Sequence, residues 1–138
     1  MSTTYCGGCS CGAVRYECSA EPVMSVNCHC RDCQQASGSA YSADIIVPIT
    51  GWKLLSGSPK FYEKKADSGN TVTRSFCGDC GSPLFVKEVA IPDIVTINVG
   101  SLDDPSRYSP TGDWWVSSAQ PWDHMNPDLE KFDSQPDA

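Results

Sequence analysis

Three cysteines lie within six residues in the stretch "NCHCRDCQQASGSAY", which runs from Asn27 to Tyr41. They are Cys28, Cys30 and Cys33, and the stretch contains no fourth cysteine. Structural zinc sites usually take four protein ligands, whereas catalytic zinc sites take three and keep one position for water or substrate. The spacing therefore predicts a metal site, and the count leaves two alternatives. Either a distant fourth ligand completes the site, or the fourth position is where chemistry occurs.

Two further cysteine clusters flank this stretch. "CGGCSCG" holds Cys6, Cys9 and Cys11, and "FCGDCGS" holds Cys77 and Cys80. A C-x-x-C followed by glycine is typical of a zinc knuckle, whose two ligands need a second pair from elsewhere in the chain. Cys6 with Cys9, or Cys9 with Cys11, could supply that pair, and spacing alone slightly favours the former. A thioredoxin-like redox motif would require a βαβ context, which the sequence does not show.

Length, charge and cysteine count narrow the class of protein. The chain has 138 residues, which fits one domain, and a net charge of -7, which argues against binding the phosphates of nucleic acids. The N-terminus has no signal-peptide pattern, and no apolar run approaches the ~20 residues needed to cross a bilayer. The expected location is the cytoplasm, where nine cysteines indicate metal ligands or catalytic groups rather than disulfides.

Short alternating segments separated by turn residues predict a β-rich domain. In "AVRYEC", Val14, Tyr16 and Cys18 share one face of a strand, so Cys18 is predicted to be a small buried hydrophobe. The other strand candidates are "YSADIIVPI", "KFYEKK", "TVTRSF", "PLFVKEV" and "DIVTINVG". "RDCQQASG" favours a short helix that ends at Gly38. The fold class predicted is mainly β, with one or two short helical turns.

The C-terminal residues 123–138 form an acidic tail, with five acidic side chains and one lysine. Composition alone would make such a segment disordered. Leu129 and Phe132 could nevertheless pack it in part onto a domain formed by residues 1–122.

The cysteine motifs and their surroundings together resemble a known family. The segments concerned are "GGCSCGAVRYE", "CHCRDCQQASGSAY", "TRSFCGDCGSPLF", "VTINVGSLDDPS" and "PTGDWWVSSAQPWD", in that order. They resemble the glutathione-dependent formaldehyde-activating enzyme family, which includes the centromere protein V domain. The resemblance spans about residues 5 to 133, and its cysteine spacings are highly specific.

This resemblance implies an Mss4-like fold of coiled β-sheets that holds two zinc ions per chain. The structural zinc would take Cys9, Cys11, Cys77 and Cys80. The catalytic-type zinc would take Cys28, Cys30 and Cys33. Cys6 and Cys18 then fall outside both sites, against the slight preference from spacing. The implied activity condenses glutathione with formaldehyde to S-hydroxymethylglutathione, so a small thiol and an aldehyde are the expected partners of a carbon–sulfur lyase.

Three thiolates on Zn²⁺ leave a net charge of -1, which suits keeping a substrate thiol deprotonated. A fourth thiolate would bring -2, so nearby donors or cations must offset it. Arg31 and the polar groups of Ser37–Ser39 are the nearest candidates in sequence. His29, inside an extended C-x-C, is predicted to turn away from the metal. Many family members carry a histidine where this chain has Asp113.

Two interpretations stay open beside these. Trp114, Trp115 and Trp122 are predicted to pack in the core and at sheet edges, with the wall of a substrate pocket as the alternative. The whole domain could also be a zinc-stabilised binding module without catalysis, in which a fourth protein ligand closes the middle site.

Overall fold

The computed structural model describes residues 4–66 and 68–135, so the last three residues of the acidic tail lie outside the described residues. Its strands are β1 Tyr5–Gly8, β2 Arg15–Cys18, β3 Met24–Cys28, β4 Ser42–Pro48, β5 Trp52–Ser56, β6 Lys60–Lys65, β7 Thr71–Phe76, β8 Pro83–Glu88, β9 Ile91–Asn98, β10 Gly112–Trp114 and β11 Glu130–Lys131. The helix α1 is Arg31–Ser37. Short 3-10 turns are Ile49–Gly51, Val99–Ser101, Pro105–Arg107 and Val116–Ser118.

The strands form two sheets of unequal size. A three-stranded antiparallel sheet has the order β1-β2-β5, and an eight-stranded sheet has the order β11-β10-β3-β4-β9-β8-β7-β6. The large sheet is antiparallel except at β10, which pairs in parallel with both β3 and β11. The predicted mainly β fold class is confirmed, and the described part of the chain contains no helix long and apolar enough to span a membrane.

One hydrophobic core joins the two sheets. Trp52 on β5 stacks on Tyr16 at 4.8 Å and contacts Phe85 of the large sheet at 4.7 Å between ring centroids. The buried side chains include Val14, Tyr16, Cys18, Ile45, Val47, Leu84, Phe85, Val95 and Ile97. Burial of each large apolar side chain contributes roughly 1.5–3 kcal/mol. The buried face predicted for "AVRYEC" is confirmed.

Strand β4 shows how the two faces of the large sheet differ. Ile45 and Val47 belong to the core, while Ser42, Asp44 and Ile46 lie on the opposite face because side chains alternate along a strand. Ile46 packs in a second hydrophobic cluster, and the other two are buried polar residues. One face of this sheet therefore stabilises the fold, and the other is free to position polar groups.

The C-terminal segment is part of the large sheet as far as it is described. Gly112 and Asp113 of β10 pair with Glu130 and Lys131 of β11. Phe132 packs beside the second hydrophobic cluster, which comprises Val26, Ile46 and Trp114. Phe132 and the backbone pairing of β11 thus connect the described part of the acidic segment to the large sheet.

Candidate functional site

Four cysteines from two turns that are distant in the sequence lie close together. The sulfurs of Cys9, Cys11, Cys77 and Cys80 all lie within 4.8 Å of one another. The first two occupy the β1–β2 turn and the others the β7–β8 turn, so the cluster links the small sheet to the large one. Cys6 is not part of it, because that residue lies inside β1, paired with Glu17. The slight preference for Cys6 from spacing is therefore not what the structure shows.

Backbone and hydroxyl donors face the sulfurs of this cluster. The Val14 N–H lies 3.2 Å from Cys9 Sγ and lowers the pKa of that thiol. Ser82 lies 3.2 Å from Cys80 Sγ, and its hydroxyl and backbone N–H lower the pKa of Cys80 to about 5. Gly81 takes φ 79°, which lets the knuckle turn back and its N–H donate to the Cys77 carbonyl at 2.8 Å. These donors favour the thiolate, the form that binds metal, at Cys9 and Cys80. At Cys11 a backbone hydrogen bond from Ala13 lowers the pKa, but the neighbouring thiols and burial outweigh it and raise the pKa to about 12.

The three remaining clustered cysteines meet where β3 ends and α1 begins. Cys28 is the last residue of β3, Cys30 is the N-cap of α1, and Cys33 lies in the first helical turn. The Cys33 N–H lies 3.3 Å from Cys30 Sγ, so the helix start itself brings these two residues together. All three sulfurs lie within 4.8 Å of one another. We refer to them as the thiol triad.

Within residues 4–66 and 68–135, no fourth cysteine, histidine or carboxylate side chain joins the thiol triad. This count distinguishes it from the four-cysteine cluster. A closed structural zinc site has four protein ligands, and three are typical of a catalytic one. The donor set of both clusters fits zinc, since thiolate sulfur is a preferred ligand of that ion.

Crowding of the three thiols makes their ionisation strongly unequal. Hydrogen bonds from Cys28 and Cys33 lower the pKa of Cys30 to about 2. The neighbouring thiols and burial raise the pKa of Cys28. For Cys33 the Cys28 hydrogen bond lowers the pKa, but Cys30 and burial outweigh it and raise the pKa to about 12. Three thiolates this close thus require a positive charge among them, which a divalent metal ion would supply.

Arg74 on β7 is the cation beside the thiol triad. Its Nη2 lies 3.9 Å from Cys33 Sγ, and its charge lowers the pKa of Cys30. Among the described residues no carboxylate forms an ion pair with Arg74, whereas Arg15 is paired with Asp103. Arg74 could not be found from its position in the sequence, because β7 lies far from the thiol triad along the chain and comes near it only through the pairing of strands in the large sheet.

The groups expected to offset the thiolate charge from sequence are engaged elsewhere. Arg31 donates to the side-chain oxygen of Gln34 on the same helix. The hydroxyls of Ser37 and Ser39 donate to the Tyr41 carbonyl at 3.0 and 2.9 Å. The hydrogen bonds shown for Arg31, Ser37 and Ser39 are therefore local ones rather than bonds to the sulfurs.

A broad groove of about 1920 Å³ opens over the thiol triad and the polar face of the large sheet. Trp114 is buried in the second hydrophobic cluster, as the packing interpretation predicts. Trp115 is half-buried and Trp122 is 62% exposed, and both line the groove. Trp114 also lines the groove with the small part of its ring that is exposed, so Trp115 and Trp122 offer most of the aromatic surface there.

His29 turns away from the sulfurs and lies completely buried between two carboxylates. Its Nε2 is 2.9 Å from Asp113 Oδ1, and its Nδ1 is 2.8 Å from Asp123 Oδ2. The second contact departs from hydrogen-bond geometry, so it is an ion-pair distance only. His29, which stands between the candidate ligands Cys28 and Cys30, thereby contacts both β10 and the C-terminal segment.

Asp113 is the centre of this buried network. It accepts hydrogen bonds from Asn27 at 3.2 Å and from Lys131 at 2.7 Å, in addition to His29. Burial raises the pKa of Asp113, but these donors outweigh burial and lower it overall. Gln34 connects α1 to the same region, because its side-chain amide donates to the backbone carbonyls of His29 and Ser118.

Comparison with protein-family models extends these observations to relatives. Residues 4–118 match the model described as "Glutathione-dependent formaldehyde-activating enzyme". The chain belongs to this family. The resemblance read from the cysteine motifs is therefore confirmed, and GFA is used below for the family.

The fold of this GFA member is also found in a solved structure. A crystal structure of a Rhodobacter sphaeroides protein matches with a TM-score of 0.60 at 16% identity. The match covers 92% of this chain and 98% of that chain. At this identity the likeness concerns the fold alone.

The buried network predicts a specific loss of stability in Asp113→Asn. Removing one charge from a buried ion pair costs about 3–5 kcal/mol, so we expect a fall of that size in the free energy of unfolding. Because the pKa of Asp113 is lowered, its contribution is full above about pH 4 and is lost as the pH falls through the lower folded value. Urea denaturation of both proteins across pH 2–7 measures this difference.

Asp93→Asn, at an exposed carboxylate, is the matched control and should leave unfolding unchanged. A loss below about 0.5 kcal/mol for Asp113→Asn would contradict the importance of the network.

Proposed function

We propose that this protein is a zinc-dependent enzyme that condenses a small thiol of the glutathione type with an aldehyde such as formaldehyde. The reaction class is that of a carbon–sulfur lyase. The observation that supports it most is the contrast between the two cysteine clusters. One has four sulfurs, whereas the thiol triad has three, within a groove that could admit a peptide-sized thiol.

The proposed ligands follow from the two clusters. Cys9, Cys11, Cys77 and Cys80 would hold a structural zinc, and Cys28, Cys30 and Cys33 would hold the catalytic one. A zinc ion in the thiol triad would keep an incoming thiol deprotonated and therefore nucleophilic. Nine cysteines without disulfides agree with a reducing compartment, and we propose the cytoplasm.

The protein's own groups would bind and orient the substrates. Arg74 offers a guanidinium to a carboxylate of the thiol substrate and offsets the negative charge near Cys33. Trp115 and Trp122 offer apolar walls to the rest of that substrate. In the reaction a C–S bond forms, the C=O π bond breaks, and the thiol proton finishes on the former aldehyde oxygen. Holding both reactants in one groove makes their encounter effectively unimolecular.

The first prediction from the proposed function concerns the number of zinc ions bound per chain. Native mass spectrometry should find two zinc ions per chain in the wild type and one in Cys33→Ala, because only the thiol triad is broken. Cys6→Ala, a cysteine outside both clusters, is the control and should keep both ions. One zinc ion in all three proteins would show that the thiol triad does not hold metal.

The second prediction concerns catalysis. Glutathione and formaldehyde combine without help, so the catalysed exchange is measured by NMR with ¹³C-formaldehyde. The wild type should accelerate exchange, and Cys33→Ala should lose at least about 100-fold of that acceleration because the thiol is no longer positioned. Cys6→Ala should match the wild type. Equal exchange with and without the wild-type protein would favour the binding-module alternative.

The third prediction concerns Arg74. In Arg74→Met the KM for glutathione should rise about 10-fold or more, as expected when a charge-assisted hydrogen bond is lost. The neutral thiol 2-mercaptoethanol should be affected much less. Arg107→Met is the control, because that guanidinium stacks on Tyr5 at 3.7 Å. An equal rise for both thiols would show that Arg74 does not bind a substrate carboxylate.

A further inference from the structure

A buried carboxylate on the polar face of the large sheet has no part in the function described so far. Asp44 lies on β4, two residues after Ser42 and therefore on the same face. Ser42 is directly opposite Cys28 of the thiol triad, and Asp44 is opposite Val26 and Asn98. Residues opposite each other in antiparallel strands have neighbouring side chains. The strand register thus places Asp44 beside the thiol triad, on the floor of the same groove.

The hydrogen bonds of Asp44 fall on one of its two oxygens. Oδ1 accepts from the Ser42 hydroxyl at 2.6 Å and from the Asn98 amide at 3.3 Å. Oδ2 has no hydrogen-bond partner in the part of the chain that the structure describes. The two donors hold the carboxylate in place, and the second oxygen is available to a ligand in the groove. Most buried polar side-chain atoms have a hydrogen-bond partner, so an unpartnered carboxylate oxygen on the floor of a groove favours a role toward a ligand.

The charged and titratable groups around Asp44 have opposing effects. Burial raises the pKa of Asp44 to about 6, outweighing the hydrogen bonds and the positive charge of Arg74, which lower it. Repulsion from Cys30, the N-cap of α1, also raises this pKa. For Tyr108, burial and the charge of Asp44 raise the pKa, and a hydrogen bond with the Asp44 backbone lowers it in part. A group with a pKa near neutrality exchanges protons efficiently under ordinary conditions.

We infer that Asp44 transfers the proton between the thiol and the aldehyde oxygen in the condensation. The inference rests on the proposed function and deepens it. The S–H bond of the thiol breaks and its proton passes to Asp44 Oδ2. The sulfur electron pair forms the C–S bond as the C=O π bond breaks, and the resulting alkoxide takes the same proton from Asp44. The carboxylate is regenerated, and no oxidant or reductant is needed.

Glutathione binding without aldehyde tests the first half of this transfer. Isothermal titration at about pH 7 in phosphate, HEPES and Tris gives the number of protons released to the buffer. Asp44→Asn should release more protons per bound thiol than the wild type, by up to about one, because in the wild type the charge of the bound thiolate raises the pKa of Asp44 and the carboxylate keeps the thiol proton. Its catalysed exchange with formaldehyde should fall about 10²-fold or more, and its zinc content should be unchanged.

Glu88→Gln is the matched control, because Glu88 is a partly buried carboxylate that also interacts with Arg74. It should release protons as the wild type does. Equal release by Asp44→Asn and the wild type would overturn the assignment of Asp44 while leaving the thiol site intact. If the wild type does not bind glutathione at all, the proposed function fails, and the role of Asp44 fails with it.

Discussion

The alternation of side chains along β4 is the constraint on which both the fold and the site depend. Ile45 and Val47 enter the core that joins the two sheets, while Ser42 and Asp44 face the groove. The register with β3 and β9 determines which residues these are. A slip by one residue would place a carboxylate in the core and apolar side chains beside the thiol triad. Core packing therefore determines where the polar groups of the site can lie.

The two cysteine clusters use the same atom type for different purposes. The four-cysteine cluster connects turns of different sheets and has donors from its own backbone, which suits a structural role. The thiol triad lies at the junction of a strand and a helix, where three sulfurs meet a guanidinium and a groove. The proposal of chemistry at the thiol triad follows from this difference in number and surroundings. Both clusters would hold thiolates, and their environments would give the bound metal different roles.

The C-terminal segment is attached to the site by buried charges rather than by sequence proximity. Asp123 and Asp113 lie on either side of His29, and Lys131 completes the group through Asp113. Where the resemblance predicts a histidine, this chain has Asp113, which binds His29, the residue that follows β3. The aspartate accepts hydrogen bonds from three side chains, so its role is to hold β3, β10 and β11 in place behind the thiol triad. The proton-transfer role is proposed for Asp44, on the groove side of the sheet.

Sequence alone determined the fold class, the helix ending at Gly38 and the thiol triad, because these depend on local spacing and alternation. The family and the choice of Cys9 and Cys11 for the four-cysteine cluster came from the resemblance of the motifs, since spacing slightly favoured Cys6. The strands β1, β3, β5, β10 and β11 were not predicted, since each has only two to five residues, too few for an alternating pattern to stand out. Arg74 and Asp44 could not be assigned to the site because they are far from the thiol triad along the chain. Gln34 follows Cys33 directly, but its residue type and spacing match no motif. Only strand register and burial bring a guanidinium and a carboxylate to the thiol triad. Tertiary structure therefore decided the environment of the ligands, because charge and burial depend on neighbours in space.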